Sequence, residues 1–301
     1  MTTRSVGLVI HAGREGSILV AARAAELLRA RGVKVVVADD SRIEEGQGDR
    51  LADVAPIVDA ATFSSTVDLA ISFGGDGTFL RAAHLCRPSA TPILGVNLGR
   101  LGFLAEIEVD DLDDAMSAVA DGRWIVEHRS TLTLSIDVDG RPLDPGPASG
   151  TGGFGGWALN EVSVEKTARQ RLLLMDVSIG GQLFARMSAD ALVVATSTGS
   201  TAYALSAGGP ILSPRIDATL VVPVAPHSLF DRTVVAAPDE PVEVQLVDDQ
   251  PPALVSCDGR DPREVPAGAR IVVRGGGSTV PIARLSKLEF FGLVRRKFGL
   301  S

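Results

Sequence analysis

The sequence SFGGDGTFL, residues 72–80, contains a glycine-rich turn that follows an apolar segment. Residues 67–73 are predicted to form a buried β-strand, and a helix is expected to begin immediately after Thr78. Between them, Asp76 is enclosed by Gly74, Gly75 and Gly77. A strand that leads through such a turn into a helix is typical of the edge of an open α/β sheet at which ligands bind.

The residue types of this turn indicate phosphate chemistry. Glycines let backbone N–H groups approach a phosphate closely, and the start of a helix favours anions. A carboxylate at this position would repel phosphate unless it had a chemical task. Asp76 could remove a proton from a hydroxyl that attacks phosphorus, or hold a metal ion near the phosphates. The alternative is an ordinary turn in which Asp76 caps the helix.

Composition excludes several classes of protein. The chain has 301 residues, 45% of them hydrophobic, which excludes a disordered protein. It has no apolar run of about 18 residues that would predict a membrane span. The net charge of −8 is against a nucleic-acid binder, and the basic residues 295–297 are expected to be a solvated helix face. With only two cysteines, in unrelated contexts, we expect a reducing, cytoplasmic setting and no disulfide framework.

The order of predicted elements indicates two domains and a tail. Strands and helices alternate over residues 1–128, which predicts an α/β domain with a parallel, Rossmann-like sheet. It lacks the G-x-G-x-x-G fingerprint, and the chain has no GxxxxGK[ST] motif. Residues 129–284 contain many short strands and little helix, which predicts a β-rich domain. Residues 285–301 form a tail that could return to the first domain. The Gly/Pro-rich residues 140–156 are expected to be a mobile loop.

Two further segments carry polar groups that suit a nucleotide. In LNEVSVE, residues 159–165, Asn160 can donate and accept hydrogen bonds, and Glu161 can accept two ribose hydroxyls. By itself this pair could equally be a turn or a sheet edge. In residues 190–212, a strand leads into STGSTAYALS, which combines hydroxyls with Tyr203, the only tyrosine of the chain. Here the alternative is a Ser/Thr-rich cap of a buried helix.

Taken together, these segments resemble the NAD kinase family. The similar stretches are GGDGTFLRAA, NLGRLGFLAEI, LNEVSVEK, TSTGSTAYALSAGGPI and SCDGR, and their order and spacing match over nearly the whole chain. The resemblance implies phosphoryl transfer from ATP, or from inorganic polyphosphate, to the 2′-hydroxyl of the adenosine ribose of NAD, which gives NADP. It also implies a divalent cation, with Mg²⁺ expected, and a homodimer or homotetramer.

The resemblance also assigns roles to individual residues. Asp76 corresponds to the base that accepts the 2′-hydroxyl proton. The positions that would bind NAD or phosphate are Gly74, Gly75, Gly77, Arg81, Asn160, Glu161, Arg171, Asp190, Thr201, Ala202, Tyr203, Ala204, Leu205 and Ser206. Arg260 aligns with a variable polar position of the family. No metal ligand is assigned, and the resemblance does not choose between ATP and polyphosphate.

The chain departs from the family pattern DGLxxSTPTGSTAY at Ala191, Ala195 and Ser197. Serine in place of proline removes a fixed φ, so we expect a more mobile loop at Ser197, and Ala191 needs a negative φ. Two other functions are compatible with the glycine turn. One is a diacylglycerol-type lipid kinase or another small-molecule kinase, which would not need the second and third segments. The other is a non-catalytic protein that binds NAD.

Overall fold

The computed structural model describes residues 3–11, 13–39, 47–99, 102–143, 156–228 and 230–300. Most of the loop predicted at residues 140–156 lies outside this set. The chain divides into two units, one formed by residues 1–128 with 280–301 and the other by residues 129–279. Among the described residues, none of the helices combines the length and apolar character that crossing a membrane requires.

The first unit alternates strands and helices along the chain. Its strands are β1 (Ser5–Ile10), β2 (Lys34–Ala38), β3 (Ile57–Val58), β4 (Leu69–Gly74), β5 (Ile93–Asn97), β6 (Ile125–Arg129) and, from the end of the chain, β20 (Val280–Arg284). Its helices are α1 (Glu15–Arg29), α2 (Gln47–Val54), α3 (Ala60–Thr66), α4 (Asp76–Cys86), α5 (Leu112–Ala120) and α7 (Phe290–Phe298).

These strands form one sheet in the order β3-β2-β1-β4-β5-β20-β6. The pairs β1–β2, β1–β4 and β4–β5 are parallel, as the alternation predicted. In β4 every residue is buried, because helices cover both faces of a parallel sheet. The order reverses at β1 and β4: the chain moves outward to β2 on one side and to β5 on the other. Ligands of open α/β sheets bind at such a reversal, beyond the carboxyl ends of the strands.

The second unit is antiparallel and rich in β-structure, as predicted. Its strands are β7 (Leu132–Val138), β8 (Arg141–Leu143), β9 (Trp157–Ala158), β10 (Glu161–Lys166), β11 (Leu173–Ile179), β12 (Gln182–Ala189), β13 (Ala191–Thr196), β14 (Thr219–Val224), β15 (Val234–Ala236), β16 (Val242–Leu246), β17 (Ala253–Cys257), β18 (Arg260–Val265) and β19 (Arg270–Arg274). One short helix, α6 (Tyr203–Ser206), follows β13.

Two sheets build the second unit. One has the order β15-β14-β13-β10-β17-β18, and the other β12-β11-β16-β19-β7-β8, with β9 paired to β7. Along β10, Val162 and Val164 face a core that both sheets share, while Glu161, Ser163 and Glu165 alternate to the opposite face. The opposite face of β10 therefore carries the polar side chains of Glu161, Ser163 and Glu165.

The end of the chain completes the first sheet. From the sequence, residues 280–284 were grouped with the second domain, but β20 pairs in parallel with β5 of the first unit. Arg284 is 1% exposed, and its guanidinium contacts the carboxylates of Glu106 at 3.0 Å and Glu127 at 3.4 Å. The hydrophobic content of Val280, Ile282 and Ala283 does not reveal which sheet they join, because buried strands of either sheet look alike in sequence.

Candidate active site

The carboxylate of Asp76 is held by the backbone of a different loop. The N–H of Phe103 donates to Oδ2 at 3.0 Å and the N–H of Leu104 donates to Oδ1 at 3.1 Å. Helix α4 begins at Asp76 itself, earlier than predicted, and its N-cap is Gly75. The helix-cap alternative is therefore wrong, because Asp76 directs its carboxylate to residues 103 and 104. Each oxygen keeps acceptor capacity for a further donor.

The glycines around Asp76 have two kinds of environment. A Cβ on Gly74 would lie 2.2 Å from Oγ1 of Thr78, so this glycine permits close packing of β4 against α4. At Gly75 and Gly77, the position that a Cβ would take has no atom within 4 Å. Their backbone is thus open to a ligand at the first turn of an 11-residue helix, where N–H groups have no intrahelical acceptor. Phosphate binding at this turn stays a prediction.

Arg81 lies one turn further along α4, and its guanidinium donates to the carbonyl of Ile10 at the end of β1. The side chain is half-buried. It therefore ties the carboxyl end of β1 to the helix that begins at Asp76, on the edge of the sheet where the order of strands reverses.

In the second unit, Asp258 fixes the segment that carries Asn160 and Glu161. Its carboxylate accepts the N–H groups of Leu159, Asn160 and Glu161 at 2.9, 2.7 and 3.2 Å. In return, the N–H of Asp258 donates to the carbonyl of Glu161 at 2.9 Å. Asp258 has φ +53° and Gly259 φ +65°, as the two central residues of a tight hairpin turn between β17 and β18 require.

The end of β13 and the turn after it hold residues 159–160 from the other side. The N–H of Thr196 donates to the carbonyl of Asn160 at 2.8 Å, and the Thr196 hydroxyl donates to the carbonyl of Leu159 at 2.6 Å. A Cβ on Gly199 would lie 2.0 Å from the Asn160 carbonyl oxygen, so only glycine permits this contact. Three segments that resemble the NAD kinase family, those that contain Asn160, Thr196 and Asp258, thus meet around Asn160.

Glu161 is buried, at 8% exposure, and its carboxylate accepts the N–H of Tyr203 at the start of α6. Its Oε2 has no hydrogen-bond partner among the described residues. Burial, followed by the nearby charge of Asp258, raises the pKa of Glu161 to about 8. A buried carboxyl oxygen without a partner is a group suited to contact a polar group of a ligand.

Tyr203 joins several predicted residues on this face of the sheet. Burial, then the charges of Glu165, Asp190 and Glu161, raises the pKa of its phenol. Asp190 forms an ion pair with Lys166, at the opposite end of β10 from Glu161. The rest of the predicted run lies around Tyr203: Ala204 packs on Val193 and Ala195, while Ser206 is exposed. Tyr203 is thus linked to Glu161 through its N–H and lies within electrostatic range of Glu165 and Asp190.

Two further residues that the resemblance named lie in other elements of the second unit. Arg171 is exposed, in a turn between β10 and β11 where its N–H donates to the carbonyl of Ala168. Arg260 is the first residue of β18, directly after the turn that contains Asp258. Neither is joined to Asn160 or Glu161 by the hydrogen bonds described above, so their roles remain those that the resemblance implies.

The departures from the family pattern are accommodated. Ala191 pairs with Val224 and Glu165 in β13 and is outside the set of described residues with positive φ. The Ser197 hydroxyl donates to the carbonyl of Ile216, and the Ser197 carbonyl accepts the hydroxyl of Ser200 at 2.7 Å. These bonds restrain the loop at the position where proline would restrict φ. Greater mobility of this loop stays a prediction.

The sequence indicated no role for several residues that hold the predicted site residues within each unit. They are Gly102, Phe103, Leu104, Thr196, Gly199 and Asp258. A signal existed for Asp258, because Asp-Gly after a strand predicts a hairpin turn with an acceptor at its tip. The partners of residues 102–104 lie about 27 positions away in sequence, and no local pattern identifies them.

Comparison with known proteins agrees with this arrangement. Models of the ATP-NAD kinase N-terminal and C-terminal domains match residues 6–124 and 159–285. The NAD kinase of Thermobifida fusca is 39% identical over 300 residues, covering 99% of this chain and 90% of that protein. The NAD kinase of Mycobacterium tuberculosis is 39% identical over 305 residues, covering 99% and 96%.

Two solved structures have the same fold. Yeast NADH kinase, complexed with NADH, superposes with a TM-score of 0.84 at 22% identity, covering 100% of this chain and 89% of that one. An NAD kinase from Archaeoglobus fulgidus, in complex with ATP, gives a TM-score of 0.75 at 21% identity, covering 99% and 100%. With two domain models matched over most of the sequence and relatives at 39% identity along its length, the chain belongs to the ATP-NAD kinase family.

Proposed function

We propose that the protein is an NAD kinase that transfers the terminal phosphoryl group of ATP to the 2′-hydroxyl of the adenosine ribose of NAD, producing NADP. The observation that carries this proposal is the carboxylate of Asp76, held by two backbone N–H groups beside an open glycine turn. The names of the 39%-identical relatives support the same reaction.

In this proposal Asp76 accepts the proton of the attacking 2′-hydroxyl, and the amides around Gly75 and Gly77 bind phosphoryl oxygens. Phosphoryl transfer has a loose transition state, so positioning and electrostatics contribute most of the rate enhancement. A general base typically contributes about 10²–10⁴-fold, and correct alignment of the hydroxyl can contribute roughly 7–11 kcal/mol. The fixed N–H groups orient the Asp76 carboxylate, and this orientation favours both proton transfer and alignment of the hydroxyl.

Asn160 and Glu161 bind the ribose and adenine of NAD in this proposal. The backbone of this pair is fixed by Asp258, Thr196 and Gly199, so the pair is preorganised for NAD binding. The unpartnered Oε2 of Glu161 is the group that a ribose hydroxyl or an adenine amino group would contact. Tyr203, together with Thr201, Ala202 and the residues to Ser206, lines the same surface.

A divalent cation, Mg²⁺, is part of the proposal. The described residues contain no group of three or more His, Cys, Asp or Glu side chains placed to hold a metal ion. Mg²⁺ keeps several waters and is usually held by substrate phosphates with one or two carboxylates, so a turn with the single carboxylate of Asp76 fits an ion held mainly by phosphates and water. When bound, Mg²⁺ would neutralise charge on the phosphates.

Three further properties belong to the proposal. Inorganic polyphosphate remains an alternative donor, because the glycine turn can accept the terminal phosphate of either compound. Assembly into a homodimer or homotetramer, which the sequence resemblance implied, is also part of the proposal. A cytoplasmic location is supported by Cys86 and Cys257, both buried and neither in a disulfide.

The test is NADP formation by the purified protein with NAD, Mg²⁺ and either ATP or polyphosphate. Formation of NADP in a donor-dependent manner is the expected result. Binding of NAD without NADP formation under either donor would instead identify a non-catalytic NAD-binding protein. Phosphorylation of diacylglycerol-like lipids in preference to NAD would identify the lipid-kinase alternative.

A further inference from the structure

Phe103 makes two different kinds of contact, one through its backbone and one through its ring. Its N–H donates to the Asp76 carboxylate. Its ring, in a residue that is 8% exposed, packs against helix α7: the ring centroids of Phe290 and Phe298 lie 6.2 and 6.5 Å from that of Phe103, and Nζ of Lys297 lies 4.1 Å from it. Residues 295–297 are exposed, as expected of a solvated helix face, and Lys297 also contacts this ring.

Helix α7 is well anchored for such a contact. It buries Leu293 and Val294 and ends at Gly299, whose φ of +62° is the usual left-handed helix stop. The N–H of Leu300 donates to the carbonyl of Arg295, which closes the last turn. An ammonium group over an aromatic ring adds about 0.5–1 kcal/mol at a partly exposed position. The ring of Phe103 is thus fixed by apolar packing on two sides and by a cation.

The position of residue 103 determines where the Asp76 carboxylate points. Both N–H groups that bind Asp76 belong to consecutive residues, Phe103 and Leu104, so a displacement of this backbone moves both donors together. A Cβ on Gly102 would lie only 2.2 Å from Oδ1, so the segment lies directly against the carboxylate. Misplacement of a reacting group by about 1 Å can cost 10²-fold in rate.

We propose that α7 sets the orientation of Asp76 for phosphoryl transfer by clamping the ring of Phe103 between Phe290, Phe298 and Lys297. Phe103 is a positioning residue, and α7 is the element that holds it. The inference rests on the proposed function, since it assigns α7 a task in the step that Asp76 performs.

The first experiment measures kcat and the KM for NAD in Phe103→Ala, which keeps the N–H but removes the ring, and in Phe103→Leu, which keeps an apolar side chain. The second uses Phe298→Ser, a change at the partly exposed end of the clamp that is milder for folding. Phe291→Ser is the matched control, because this ring of the same helix is 68% exposed and contacts Phe290. Thermal unfolding of every variant is measured in parallel.

We expect kcat to fall about 10-fold in Phe103→Ala and severalfold in Phe298→Ser, with the KM for NAD within about twofold of the wild-type value. Phe103→Leu should recover most of kcat, and Phe291→Ser, which leaves all three clamping side chains in place, should keep kcat within about twofold of the wild-type value. In an Asp76→Asn background, Phe298→Ser should cause no further loss, because the two changes remove the same contribution.

An unchanged kcat in folded Phe298→Ser and Phe103→Ala would overturn the inference. An equal fall of kcat on Phe298→Ser in the wild-type and Asp76→Asn backgrounds would also overturn it. Either result, obtained with a wild-type protein that makes NADP, leaves the proposed function in place. A wild-type protein that makes no NADP under either donor contradicts the proposed function itself, and the two failures are therefore distinguishable.

Discussion

The carboxylate of Asp258 accepts the N–H of Asn160 at 2.7 Å, although 98 residues separate the two in sequence. The same carboxylate accepts the N–H groups of both neighbours of Asn160. A hairpin turn with no direct part in the proposed chemistry thus fixes the backbone of the two residues proposed to bind NAD. The first prediction follows from this contact.

Replacement of Asp258 by alanine is expected to weaken both folding and NAD binding. Three buried N–H groups lose their acceptor, at about 1–3 kcal/mol for each group left unsatisfied, although water will replace some of the loss. Alanine at φ +53° also costs about 1–2 kcal/mol. We expect a lower free energy of unfolding and a raised KM for NAD, measured by denaturant titration and steady-state kinetics.

Asp249→Ala is the matched control for this change. Asp249 is exposed and has φ +60°, so its replacement tests the backbone cost without removing the clamp. Asp258→Asn, which keeps an acceptor oxygen and tolerates the left-handed conformation, should be intermediate. Equal effects of Asp258→Ala and Asp249→Ala would show that the three hydrogen bonds contribute nothing measurable.

The raised pKa of Glu161 predicts a specific dependence of stability on pH. Its folded-state pKa of about 8 exceeds the ordinary value of 4.5, so the folded protein binds this proton more tightly than the unfolded chain. The corresponding stability is complete below about pH 4.5 and is lost as pH rises through about 8. Relative to Glu161→Gln, the wild type should lose up to about 1.4 kcal/mol per pH unit within this window. Parallel stability curves for the two proteins would contradict the assignment.

Glu161→Ala is expected to raise the KM for NAD with a smaller effect on kcat. The reason is that the proposed contact exists in the ground state and in the transition state alike, so its loss weakens both equally. Steady-state kinetics with NAD as the varied substrate provide the measurement. Unchanged affinity for NAD would remove Glu161 from the binding surface.

Asp76→Asn is expected to lower kcat by about 10²–10⁴-fold while NAD still binds, because an amide cannot accept the hydroxyl proton. Calorimetric titration of NAD and turnover measurements separate the two effects. The amide NH₂ replaces one of the two carboxylate oxygens and cannot accept the N–H of Phe103 or Leu104 that this oxygen binds, so part of the loss arises from altered orientation. Normal turnover in this variant would exclude Asp76 from the chemistry.

Gly102→Ala tests the contact against Asp76 without changing any functional group. The added methyl would lie 2.2 Å from Oδ1 and 2.9 Å from Cγ, so the carboxylate must move. We expect kcat to fall by about 10-fold or more with NAD binding retained. Gly16→Ala is the matched control, since no atom lies within 4 Å of its added carbon, and it should retain wild-type turnover.

The fold class could be predicted from the sequence, and the site residues that it indicated stay predictions, but the contacts that hold these residues could not be foreseen. Alternating strands and helices predict a parallel sheet because each element has its own period, and the glycine turn marks its edge. The partner of Asp76 at Phe103, the clamp of Asp258 on Asn160 and the ring of Phe103 against α7 are each made between segments distant in sequence. Such pairs depend on how the elements pack, which no local pattern encodes.

The place of β20 in the first sheet has a consequence for synthesis of the protein. This strand lies between β5 and β6 but is translated about 150 residues after β6. At roughly 5–20 residues per second, the nascent N-terminal unit waits on the order of 8–30 s with a gap in its sheet and exposed strand edges. During this interval the facing edges of β5 and β6 have no partner strand, and the first unit completes its sheet only after β20 has been synthesised.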